Sequence, residues 1–146
     1  TKGIAMGPMS IDDIQITQLR RIATVGGDVL HALKNDDAGY AGFGEIYFSW
    51  IKGGAIKAWK RHTRMTMNLV VPLGQVRFVF HQSHAQYRIE EIGDAHYARI
   101  TVPPGIWFGF KGLITPQCLV MNFANLPHES NEVERIKKSD FNYSWD

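Results

Sequence analysis

The apolar and polar positions of this chain alternate with a period of two far more often than with the period of a helix. Residues 14–22 alternate and are broken by Gly26-Gly27. Residues 43–51 set Phe43, Glu45, Tyr47 and Ser49 on one face of a strand and Ile46, Phe48 and Trp50 on the other. Gly53-Gly54 turns the chain into residues 56–62, IKAWKRH. Strict alternation there puts Ile56, Ala58, Lys60 and His62 on one face and Lys57, Trp59 and Arg61 on the other. Further strands are expected over 68–71 and 75–80, separated by Pro72-Leu73-Gly74, and then over 87–92, 96–102, 106–110 and 117–124. Residues 28–34 are too short to decide between a strand and a helical turn. A short helix is expected over 131–138, with Asn131 as N-cap, acids early and lysines late.

About nine short strands, separated by Gly/Pro turns every ~8–12 residues, predict an all-β antiparallel sandwich or barrel with at most one or two short helices. The pattern leaves an immunoglobulin-like sandwich and a jelly roll both open, and the lack of a cysteine pair weakens the first. Residues 1–13 read as a loose N-terminal segment, with the look of an expression remnant before Met9, and 14–146 as one domain.

Composition narrows the classes of function. A chain of 146 residues, 45% apolar and 21% charged, is long enough to bury a real core. Its net charge of +2 argues against a nucleic-acid or anionic-membrane partner. No stretch is long and apolar enough for a membrane span, and the N-terminal residues lack the apolar region of a signal peptide. The lone Cys118 lies in an apolar run and reads as core; an unpaired cysteine suits a reducing compartment, so a cytoplasmic location is expected.

The stretch 56–62 is unusual because neither face is purely apolar. A barrel strand that turns Lys, His and Trp toward the interior lines a wet cavity, so the interior is expected to hold a ligand, with His62 facing it. Lys57, Lys60, Arg61 and Arg64 form a cationic group around His62 that suits a pyrophosphate. Arg77 and Arg99 alternate with apolar neighbours and are candidates for the same cavity, and Trp59 and Trp107 are candidates for stacking on a sugar or base. A metal site is not expected: His62-Thr63-Arg64 lacks a His-x-His pair, and Trp107-Phe108 follows the Pro-Gly turn. His81 and His84 read as surface-loop histidines.

Several phrases, GDVLHALK, GFGEIYFSWI, IKAWKRH, NLVVPLGQVRFVF, YARITVPPGIWFGF and NEVERI…YSWD, resemble the dTDP-4-dehydrorhamnose 3,5-epimerase (RmlC-like) branch of the cupins over roughly 14–146. The resemblance implies a jelly-roll (cupin) barrel and a homodimer that pairs N-terminal strands across subunits. It also implies a nucleotide-diphospho-4-keto-sugar substrate and no cofactor or metal. His62 falls on the family's histidine base, and Asp140 near the C-terminal carboxylate that orients it. Asn68 stands where the enolate-stabilising lysine is expected, and Asn122 near the place of the proton-returning tyrosine. Trp59 replaces an arginine, and Phe108-Gly109-Phe110 a His-Gly-Phe. Tyr47 and Tyr97 are the candidate replacement acids. Asn68 and Asn122 can hydrogen-bond a carbonyl oxygen without supplying charge. The expected function is a 3- and/or 5-epimerase, or a related keto-isomerase, working through an enolate. The alternative is a non-catalytic cupin that binds a nucleotide sugar or a partner protein in glycan biosynthesis.

Overall fold

A computed structural model describes residues 9–82 and 86–146. Its strands are β1 (Gln15–Gln18), β2 (Arg21–Ile22), β3 (Val29–Leu30), β4 (Glu45–Lys52), β5 (Ile56–His62), β6 (Met67–Leu73), β7 (Gln75–His81), β8 (Tyr87–Gly93), β9 (Ala98–Val102), β10 (Trp107–Gly112), β11 (Gln117–Ala124) and β12 (Val133–Arg135). Two antiparallel five-stranded sheets face each other, ordered β1-β9-β6-β11-β4 and β12-β5-β10-β7-β8. This is the expected all-β jelly roll.

The alternating strands bury one face each between the sheets. Met67, Leu69 and Val71 of β6 meet Phe78 and Phe80 of β7 and Phe108 and Phe110 of β10. Gly74 makes the β6–β7 turn at φ +91°, a conformation that costs glycine little. A side chain there would strike the buried Cys118.

Both sheets are also covered on parts of their outer faces. On the first, Arg99 is fully buried and donates to the carbonyls of Ala32 and Ala38. Its partner Asn68 donates to the Gly39 carbonyl. On the second, the C-terminal tail lays Phe141, Tyr143 and Trp145 over Trp59 and Val79. The Trp59 indole donates to the Lys138 carbonyl at 3.1 Å.

Several expectations are corrected here. The helix expected over 131–138 is strand β12 followed by a 3-10 turn at Lys138–Asp140, because pairing with β5 outweighs local propensity. The strand expected over 14–22 is divided into β1 and β2. Within the N-terminal segment, Ile11–Asp13 is a 3-10 turn closed by a capping box from Ser10. His81 is no surface-loop histidine: it ends β7, buried against Tyr87 and Phe141. His84 lies outside the described residues.

The correction that matters most is in β5. Lys60 pairs with Phe108 and Lys57 with Phe110, so three steps along β5 match two along β10. This bulge shifts the alternation by one residue. Lys57, Lys60 and His62 therefore share the inner face, and Ile56, Trp59 and Arg61 the outer one.

Candidate active site

His62 ends β5, where its partner across the sheet is Val133 of β12. Glu132, just before β12, is brought beside it and is almost fully buried. The Glu132 main-chain carbonyl accepts from the Thr63 amide at 2.8 Å and the Thr63 hydroxyl at 3.0 Å. One carboxylate oxygen, Oε2, accepts from the amides of Arg64 at 3.0 Å and Met65 at 2.7 Å. The other, Oε1, lies 2.8 Å from His62 Nδ1.

These contacts fix the chemistry of the imidazole. Burial opposes ionisation of Glu132, but the His62 bond and the two amides outweigh it and hold the carboxyl below its usual range. A carboxylate only accepts, so Nδ1 carries the proton and donates it to Glu132. Nε2 is then a bare lone pair, buried and without a hydrogen-bond partner among the described residues. Burial lowers the His62 pKa, with Glu132 opposing, and the ring is neutral at pH 7. The Phe108 ring sits 6.2 Å away, centroid to centroid.

A cavity of about 430 Å³ opens beside β5, lined by Ser49, Lys57, Ala58, Trp59, Lys60, Phe108, Phe110, Arg135 and Ile136. That volume is in the range of small-molecule sites. Its position follows from the sheet order. β4 is an edge of one sheet, β12 is an edge of the other with β5 next to it, and the cavity runs along the seam between them. Lys57 is tied to the Trp50 carbonyl of β4 at 2.8 Å. The Lys60 ammonium lies 5.4 Å from the Phe108 centroid. Burial, then Arg135 and Lys57, bring its pKa down to about 8. Tyr47 faces inward from β4, within electrostatic reach of Arg135 and Glu132. Burial, then Glu45, push its phenol up. Asn122, its partner on β11, donates to Ser49 Oγ at 3.1 Å.

Of the residues expected from sequence, Lys57, Lys60 and Trp59 line the cavity; His62 packs against the Phe108 ring that also lines it, and Tyr47 faces inward from β4, paired with Asn122. The others lie elsewhere. Asp140 does not reach His62; it closes the Lys138–Asp140 turn by accepting from the Lys137 amide, and Glu132 holds the position expected for it. Tyr97 donates to the His31 carbonyl and lies under Arg21 on an outer face. Asn68 points away from the cavity, its Oδ1 accepting from Arg99 at 3.1 Å and Thr101 at 2.5 Å. Arg77 pairs with Glu91 and donates to the Trp145 carbonyl, and Arg64 pairs with the exposed Glu129. Trp59 borders the cavity, but its ring packs under the tail, and the Trp107 ring lies under Arg61. Sequence reading missed Glu132 and Arg135 because it placed both in a helix; the alternation Glu132-Val133-Glu134-Arg135 was the available signal. Among the described residues, no group of three or more His, Cys, Asp or Glu side chains is placed to hold a metal ion.

The jelly roll thus carries a carboxylate-held histidine close to a cationic cavity. No family model and no curated protein matches the chain. Solved structures do. A dTDP sugar isomerase from Desulfovibrio desulfuricans G20 is 33% identical over 92% of this chain and 91% of its own, with a TM-score of 0.86. The sugar 3,4-ketoisomerase QdtA from Thermoanaerobacterium thermosaccharolyticum, in complex with TDP, shares the fold at 13% identity and a TM-score of 0.75, over 89% of this chain and 93% of that one. The dTDP-4-dehydrorhamnose 3,5-epimerase of Bacillus anthracis, with TDP and PPi bound, does so at 15% identity and 0.76, over 90% and 82%. The chain belongs to the dTDP-sugar isomerase and epimerase (RmlC-like) family of cupins.

Proposed function

We propose that the protein is a nucleotide-diphospho-4-keto-sugar epimerase or ketoisomerase that works through an enolate, with His62 as the base. The observation that carries this reading is the buried Nε2, unpartnered among the described residues, of a histidine whose other nitrogen is held by Glu132. Nε2 takes the proton from the carbon beside the C4 ketone; the C–H electron pair becomes a C=C bond and the carbonyl π pair moves onto the ketone oxygen. Tyr47 stands on the opposite sheet, so it flanks the cavity from the other wall. Its raised pKa keeps the phenol protonated, and it returns a proton to the far face. Delivery to the carbon that lost the proton inverts it. Delivery to the former carbonyl carbon, with the proton of the neighbouring hydroxyl passing to the enolate oxygen, moves the ketone to the next carbon and isomerises the sugar. Arg135, exposed at the mouth, and Lys57 suit the diphosphate.

A homodimer is part of this reading. Ile46, Phe48 and Trp50 are 46%, 59% and 50% exposed on the outer face of the edge strand β4. A contiguous apolar row on an open edge is a pairing surface.

The test is incubation with dTDP-4-keto-6-deoxyglucose in deuterium oxide, followed by NMR. A mutant of the ketoisomerase QdtA binds TDP-4-keto-6-deoxyglucose. Label at C3 or C5, or at C4 for a ketone shift, abolished in His62→Asn while dTDP still raises the melting temperature, supports the reading. Nucleotide binding with no label in the unaltered protein would make it a binder and not an enzyme.

A further inference from the structure

The enolate needs a cation or strong donor at its oxygen, and the expected residue, Asn68, is turned away and fully engaged. The remaining cations near His62 are also occupied or remote. Lys57 is bound to the Trp50 carbonyl, Arg61 pairs with Glu134 on the outer face, and Arg64 pairs with Glu129. Arg135 is exposed at the mouth of the cavity. Lys60 is different. It lines the cavity, and its ammonium lies over the Phe108 ring, the same ring that packs against His62. Among the described residues it has no carboxylate partner.

The spacing suits the task. Lys60 and His62 are two residues apart on one strand face, about 6.6–6.8 Å along the strand. A reacting carbon sits about 3–3.5 Å from its base. The developing oxyanion sits about 2.7–3.1 Å from its donor. Two groups that flank a C–C=O unit from these distances stand several ångströms apart, as Lys60 and His62 do.

We propose that Lys60 is a catalytic residue, its ammonium being the oxyanion partner of the enolate, with the bulge in β5 as the device that turns it inward. The inference rests on the enolate reading above. As His62 Nε2 takes the proton, the C–H electron pair becomes the C=C bond and the carbonyl π pair moves onto oxygen. Lys60 donates a hydrogen bond to that oxygen and keeps its proton, so no charge or atom is left unbalanced. Arg135 is left to hold the diphosphate, with the Lys57 ammonium anchored on the Trp50 carbonyl adding charge nearby. Burial next to these two cations leaves Lys60 charged at neutral pH and sensitive to alkali.

The experiment compares Lys60→Met and Lys60→Arg with the unaltered protein. It uses deuterium exchange into dTDP-4-keto-6-deoxyglucose and, separately, dTDP affinity by calorimetry. Lys60→Met is expected to lower the exchange kcat by about 10²–10³-fold, the loss typical of one oxyanion donor. The dTDP dissociation constant should change by less than about threefold, since the diphosphate contacts remain. Lys60→Arg should retain part of the rate, and its alkaline limb should move above that of the unaltered enzyme. A Lys60→Met protein that exchanges at the normal rate, or that loses dTDP affinity while keeping kcat, would overturn the proposal and leave the His62 reading standing. Absence of exchange in the unaltered protein would overturn both.

Discussion

Glu132 decides which nitrogen of His62 is free, and this has a measurable consequence. In Glu132→Gln the side chain keeps its shape, but its amide can present an N–H to Nδ1 and so move the imidazole proton to Nε2. Deuterium exchange should fall by about 10²–10⁴-fold, the scale of a wrong-tautomer defect. Asp140→Ala, on an exposed turn, should keep exchange within about twofold. Equal losses in the two variants would mean that Glu132 is not the orienting group. The pH profile follows from the same residues. Neutral His62 is required, and burial holds its pKa below 6.5, so kcat/KM should fall on the acid side only below that value. Charged Lys60 is required, so kcat/KM should fall again as pH rises through about 8. Stability bends the same way in acid. The fold depresses the His62 pKa, so the unfolded chain takes up the proton first, and stability is lost as pH falls below 6.5.

Among the elements, β5 carries both the site and the difficulty of reading it. His62 was readable as a strand-end histidine, but its companions were not, because a bulge is set by pairing with β10 and leaves no mark on the local pattern. Alternation alone puts Lys57 with Trp59; the register separates them. Gly109 of β10 accommodates the bulge, since a Cβ there would lie 2.5 Å from that of Ala58. Gly109→Ala should therefore cost about 1–3 kcal/mol, the range for overpacking. Calorimetry would show this as a melting point lower by several degrees, and exchange should slow because Lys57 and Lys60 shift with the strand. Glu132 was hidden for a related reason. It lies 70 residues from His62, and acids followed by lysines mimic a helix when β5 is not in view. The element β4 offers a simpler test. Phe48→Glu places a charge in the exposed apolar row without touching the inner face. Sedimentation velocity should show a dimer for the unaltered protein and a monomer for the variant. A monomeric unaltered protein at tens of micromolar would remove the dimer from the proposed function.

At the scale of the molecule, two coverings explain which expectations failed. Strands buried on both faces lose their alternation. The loop over Asn68 and Arg99, and the tail over the Trp59 ring, cover outer faces, so side chains read as facing a cavity pack beneath a second layer. The all-β class was plain from the pattern, whereas the choice of jelly roll rested on whole phrases of sequence. What the two sheets leave between them is an aromatic core at Phe78, Phe80 and Phe110 that gives way to a cationic seam. That seam costs stability, and Lys60 is where the cost is measurable. Its pKa falls from 10.5 to about 8 on folding. The unfolded chain therefore holds more protons between those values, and stability rises with pH across that window. Below pH 8 the charged ammonium is a fixed penalty. Fully converted, the shift is about 3 kcal/mol; with partial solvent contact, about 1–2 kcal/mol is the fair expectation. Lys60→Met removes it, and at pH 7 the variant should melt several degrees higher than the unaltered protein at equal concentration. At pH 10.5 the difference should shrink toward the small packing contribution of the new side chain, because Lys60 is then neutral in the fold and half-neutral in the unfolded chain. A variant that is more stable yet nearly inactive is the pattern expected when a site holds a destabilising charge for its chemistry. Equal melting points at pH 7 would show instead that water reaches the ammonium freely, and the seam would then be an open groove with little power to stabilise an enolate.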